Sequence, residues 1–183
     1  KVSTLYLMSL SGYDFNRTDP SGLAPLHFAA INNHSLVIAA LKKLGADLNK
    51  KDNAGRTPAY LAAEKDNSDA LLFLADKGAN LNIVSNNGFS PLHIAAKNGH
   101  IDSIIVLLNL GIDHSLLTNN DYTAAQLAAK EGHMFTVMAL YELGANMDGV
   151  VKIALLHGNF GTVIFLYLDK LYLSLNGLIR KFF

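Results

Sequence analysis

Gly22, Gly55 and Gly88 recur every 33 residues, with Asp121 in the fourth place of the series, and Gly45, Gly78, Gly111 and Gly144 form a second series at the same period. Two glycine ladders in fixed phase constrain the fold more than any other feature of the chain. A period of this length describes a supersecondary unit too small to bury its own apolar face, so the units must stack into an array with one continuous core. Function is therefore expected on a surface and not in a pocket.

Each unit reads as a polar turn, a short helix, a tight turn, a longer helix and a closing glycine. In the third unit Asn87-Gly88 supplies a turn that wants positive φ, and Ser90 before Pro91 is a helix N-cap followed by proline at the first helical position. The pairs Ala29-Ala30, Ala62-Ala63, Ala95-Ala96 and Ala128-Ala129 give narrow faces on which first helices can approach closely. Gly99 and Gly132 end the first helix in a left-handed conformation, and Asn33 and Asp66 fill the same slot with residues that tolerate it. In the second helix Ile104, Ile105, Leu107 and Leu108, like Leu71, Leu72 and Leu74, follow the three-to-four spacing of a buried face.

This pattern resembles the ankyrin repeat. Ser90-Pro91-Leu92-His93-Ile94-Ala95 is a near match to the family's T-P-L-H-x-A signature, Ala24-Pro25-Leu26-His27-Phe28-Ala29 follows it with the cap lost, and Gly78-Ala79-Asn80-Leu81-Asn82 matches its closing turn. The resemblance covers roughly residues 1 to 168 and implies an all-α solenoid of helix-turn-helix units joined by β-hairpin-like loops. Full repeats are expected at 19–51, 52–84, 85–117 and 118–150, after a partial repeat at 1–18 and before a degenerate cap and tail at 151–183. The fourth unit departs most, with Thr123-Ala124-Ala125-Gln126 in place of the proline and histidine, and a weaker hairpin is expected there.

Both ends break the phase. Leu5 to Asn16 align with Ile38 to Asn49, so the chain enters inside a second helix, and further repeats or domains of a larger parent are expected. Ala154 to Leu168 resembles Ala95 to Asn109 at an offset of 59 rather than 66, a fifth unit without its hairpin. The apolar stretch from Leu171 to Phe183 reads as a segment that covers the stack or meets another segment.

Composition narrows the function classes. No cysteine is present, which removes disulfides, thiolate zinc sites and cysteine nucleophiles, and fits a reducing, cytoplasmic setting. Fifteen basic and fifteen acidic residues leave no field to gather nucleic acid. No apolar run, Val163 to Leu168 included, comes near the length of a membrane span, so no membrane insertion is expected.

Of the seven histidines, His27 and His93 sit in the signature slot, and His34, His100 and His133 open the second helix. Copies one repeat apart do not converge on one ion, so they read as structural, and no metal or cofactor is expected. No phosphate-cradling loop, G-x-S-x-G elbow or H-E-x-x-H motif stands out, which argues against an enzyme within this chain. Asp47, Asp113 and Asp148 are expected to cap their own closing turns.

The candidate site residues are those the repeat does not need. Leu23, Arg56, Phe89 and Tyr122 follow the hairpin slot, one per unit, and read as loop-tip residues stacked side by side. The resemblance implies a concave face of hairpin tips and first helices, which adds Asn53, Asn86, Asn87, Asn119 and Asn120, with Ile31, Glu64, Lys97 and Lys130 below. Aromatic residues and arginine ringed by asparagine suit a protein–protein contact. The opposing reading is that Phe89 and Tyr122 fold back to fill gaps.

The expected function is a module that binds a partner protein. The alternative is a targeting or substrate-recognition segment of a larger enzyme or of an effector that a bacterium delivers into host cytoplasm, a reading that abundant asparagine suggests. The family resemblance also implies possible hydroxylation of Asn49 or Asn82, in the closing-turn slot.

Overall fold

A computed structural model describes residues 2–169. Its ten bounded helices are α1 (Val2–Leu10), α2 (Pro25–Ile31), α3 (Ser35–Lys43), α4 (Pro58–Glu64), α5 (Ser68–Asp76), α6 (Pro91–Asn98), α7 (Ile101–Asn109), α8 (Ala124–Glu131), α9 (Met134–Glu142) and α10 (Val150–Leu156), and residues 160–169 are helical again. No strand occurs among the described residues. The first helices α2, α4, α6, α8 and α10 pack in sequence as one layer, and α1, α3, α5, α7 and α9 pack in sequence as a second. The apolar stretch from Leu171 to Phe183 lies outside the described residues.

The alanine pairs explain the tight inner layer. Ala30, Ala62, Ala63, Ala95, Ala96, Ala128 and Ala129 are fully buried, and side chains this small allow the axes to approach to the short end of the usual ~8–10 Å. The second layer contributes Ile38, Leu41, Leu71, Leu74, Ile104, Leu107, Val137 and Leu140, all fully buried. Ile105 and Leu72, read from spacing as buried, are instead exposed, and Leu108 is half-buried. The second layer is packed from one side only, so its buried stripe is narrower than its apolar stripe.

Local chemistry sets the boundaries. Ser90 Oγ accepts the His93 amide and Thr57 Oγ1 the Tyr60 amide, while Ala24 offers no side-chain cap. Asn33, Asp66, Gly99 and Gly132 all carry positive φ at the end of the first helix, as the sequence requires.

Both ends stack on the units beside them. Asn16 Oδ1 accepts the Asp47 amide, as Asn49 Oδ1 accepts that of Asn80, so α1 stands as the second helix of a unit. At the other end α10 packs on α8, and Gly149 with φ 71 starts it directly where a hairpin would stand. The fourth hairpin keeps the closing bonds of the others: Thr118 donates to the Tyr122 carbonyl at 3.0 Å and Asp121, at φ 59, to Thr118 at 2.9 Å.

Candidate binding face

Each hairpin loop is closed at its base by an equivalent backbone bond. Asp19, Asp52, Ser85 and Thr118 donate their amides to the carbonyls of Leu23, Arg56, Phe89 and Tyr122 at 2.9–3.0 Å. The last four therefore stand at the base of each loop, not at its tip, and all are half-buried. The tips are the residues between, including exposed Asn53, Asn86, Asn87, Asn119 and Asn120.

Adjacent hairpins are stitched by asparagine. Asn53 Nδ2 donates to the Pro20 carbonyl at 2.9 Å, Asn86 Nδ2 to Asn53 at 3.2 Å and Asn119 Nδ2 to Asn86 at 3.0 Å. The facing glycines make room for this: a Cβ on Gly22 would lie 2.6 Å from the Asn53 amide nitrogen, and one on Gly88 2.6 Å from that of Asn119. Three of the asparagines predicted to meet a partner thus have their amides committed inside the stack. Asn87 and Asn120 keep exposed tip positions.

The base residues pair with the first helix eight positions on. Arg56 Nε contacts Asp52 Oδ2 at 2.8 Å and its guanidinium reaches Glu64 at 3.9 Å. Phe89 meets His93 edge to face at 6.1 Å, with the Lys97 ammonium 5.7 Å from its ring centroid. The Lys130 ammonium stands 5.0 Å from the Tyr122 centroid, and Leu23 and Ile31 both pack half-buried against the core. The Phe89 ring thus lies against the first helix of its own unit, and of the two lysines Lys97 is exposed and Lys130 half-buried.

Four of the repeat-locked histidines, His27, His93, His100 and His133, hold backbone as expected. His27 is fully buried; its Nδ1 accepts the Ala24 amide at 2.9 Å and Nε2 lies 3.3 Å from the Arg56 carbonyl. His93 Nε2 lies 2.9 Å from the Leu116 carbonyl. Burial pushes both imidazoles below their usual range. Tyr60 fills the same slot in the second unit, where burial, aided by the Glu64 charge, pushes its phenol up to about 12. His100 and His133 span repeats to the carbonyls of Glu64 and Lys97 at 3.1 and 3.0 Å, and Asn67 and Asn159 do the same work with their amides.

The closing turns form another ladder. Asp47 Oδ1 and Asp113 Oδ1 accept the amides two residues on, at 2.9 Å each, and the Ser115 hydroxyl holds Asp113 below the usual carboxylate range. Asp148 is not their equivalent. Asn146 is, taking the Asp148 amide at 2.7 Å, because the period places it 33 residues after Asp113. Asn49 and Asn82 give their side-chain oxygens to the amides of Asn80 and Asp113 at 2.8 and 3.0 Å, an engagement the sequence does not advertise.

Among the described residues no group of three or more His, Asp or Glu stands where it could hold a metal ion, and no helix is long and apolar enough to cross a membrane. A family model for ankyrin repeats matches residues 2–85, 36–118 and 77–153. No curated protein matches the chain.

Proposed function

Because the chain belongs to the ankyrin-repeat family, whose repeats are generally protein–protein interaction modules, we propose that it binds its partner protein through the concave face that the hairpins and first-helix layer line. One observation carries the choice of face: in the second, third and fourth units a hairpin-base residue contacts the first-helix residue eight positions on, the first unit has apolar Leu23 and Ile31 at those places, and this chemistry changes from unit to unit while the scaffold does not. A scaffold repeated with a variable line across it suits recognition better than catalysis, and the reading assigns this chain no reaction. Committed amides at Asn53, Asn86 and Asn119 narrow the contact set to the tips Asn87 and Asn120 and to Ile31, Glu64, Lys97 and Lys130 below them.

The test is an affinity pull-down that compares the chain with the variant Asn87→Arg/Asn120→Arg, whose two changes lie at exposed tips outside the core. Partners held by the chain and lost by the folded variant support the face. Partners held equally by both move the contact to the second-helix side.

A further inference from the structure

We propose that Lys97 and Lys130, each poised over its aromatic neighbour, form a two-cation receptor for an extended acidic peptide. The inference rests on the face proposed above and names the chemistry of its partner. The four equivalent pairs differ in what charge they leave over. Leu23 and Ile31 are apolar, and the Arg56 guanidinium is taken up by Asp52 and Glu64. In units three and four the ammonium groups of Lys97 and Lys130 join no ion pair among the described residues, although Asp121 and Glu131 are exposed in the fourth unit.

Each ammonium is held 5.7 or 5.0 Å from a ring centroid. A cation–π contact at an exposed site is weak, enough to orient a lysine without neutralising it. Ordering a long side chain on binding otherwise costs conformational entropy, so the rings pre-organise two cations for an anion.

Their spacing selects the ligand. Lys97 and Lys130 occupy equivalent places on α6 and α8, direct neighbours in the first-helix layer whose axes stand ~8–10 Å apart, and this sets the scale of their separation. A polyproline-II segment rises ~3.1 Å per residue with three residues per turn, which brings acidic side chains at i and i+3 to one side at that same spacing. A nucleic-acid strand also offers anions at intervals, but single-strand readers need open aromatic faces for the bases, and here a lysine stands over each ring. The chain's formal net charge of +0 gives no long-range field to favour a polyanion.

The test is selection of a displayed library of short random peptides on the chain, with binding of labelled winners measured at low salt. Winners enriched in Asp or Glu at i, i+3, whose binding falls at least about tenfold in Lys97→Glu/Lys130→Glu, are the expected result. Circular dichroism establishes that this variant is folded, and Lys97→Arg/Lys130→Arg should retain binding. Winners without acidic enrichment, an empty selection, or a labelled single-stranded oligonucleotide that binds more tightly than the winners each overturn the proposal. If non-acidic winners are lost in Asn87→Arg/Asn120→Arg, the face stands and only the partner chemistry falls; winners indifferent to both variants sink both readings.

Discussion

Gln126 makes in the fourth unit the same two bonds that His93 makes in the third. His93 Nδ1 accepts the Ser90 amide at 3.2 Å and Nε2 meets the Leu116 carbonyl at 2.9 Å; Gln126 Oε1 accepts the Thr123 amide at 3.1 Å and Nε2 donates to the Asp148 carbonyl at 2.8 Å. The slot needs one acceptor pointing back to the helix cap and one donor pointing to a carbonyl at the end of its own unit. A neutral imidazole and a carboxamide both supply that pair.

The chain should lose stability in mild acid. His27 and His93 are held below the usual histidine range by burial, so in the window between their lowered values and about 6.5 the unfolded chain binds protons that the folded one refuses. Stability is then full above pH ~6.5 and falls as pH drops below it, by at most about 1.4 kcal/mol per pH unit for each histidine. Urea denaturation at pH 7.5, 6 and 5 reads the slope. His93→Gln should fold at pH 7.5 with little loss and show a shallower slope, whereas an unchanged slope would assign the acid sensitivity elsewhere.

Gly55 and Gly45 should respond differently to alanine. Both have positive φ, 76° and 87°, but a Cβ on Gly45 meets nothing within 4 Å while one on Gly55 would lie 2.8 Å from the Asn86 amide nitrogen. Gly45→Ala should cost about 1–2 kcal/mol from the left-handed conformation alone. Gly55→Ala adds displacement of the neighbouring hairpin and should cost about 1–3 kcal/mol more. Equal losses in urea melts would contradict the stitched-hairpin account.

Asn67→His should be tolerated and Asn67→Ala should not. Asn67 Nδ2 donates to the carbonyls of Ala30 and Ile31 at 2.9 and 2.7 Å, and His100 and His133 hold the equivalent place. Alanine takes one donor from the Ala30 carbonyl, which keeps the Asn33 amide at 3.3 Å, and leaves the Ile31 carbonyl without its side-chain donor, at a cost of about 1–3 kcal/mol. Thermal melts of the two variants should differ by several degrees, with histidine near the parent.

Phe89→Ala should lower stability where Lys97→Ala does not. The Phe89 ring packs on His93 and the core, so its loss at a half-buried site should cost about 1–2 kcal/mol, below the ~3–5 of full burial. Lys97 contributes only its contact with that ring, about 0.5–1 kcal/mol at most. A Phe89→Ala variant as stable as the parent would return the ring to the set of residues the fold does not need.

Period, caps and left-handed slots were legible in the sequence because each is a property of one residue and its immediate neighbours. Gly22 and Gly88 must turn, Ser90 must cap, and Ala95-Ala96 must let a helix come close, whatever surrounds them. The exposure of Leu72 and Ile105 was not legible, since apolar spacing marks where a helix can be buried and not how many layers cover it. Nor does the sequence alone show that Asn53, Asn86 and Asn119 are committed. Their bonds run to carbonyls 33 residues away, and that distance exists only once adjacent units have stacked. The sequence by itself determined a stack of ankyrin repeats and the side chains that vary along it; the tertiary structure decided which of those side chains the stack consumes and which it leaves facing outward, because hydrogen bonds between repeats depend on packing geometry that no single unit encodes.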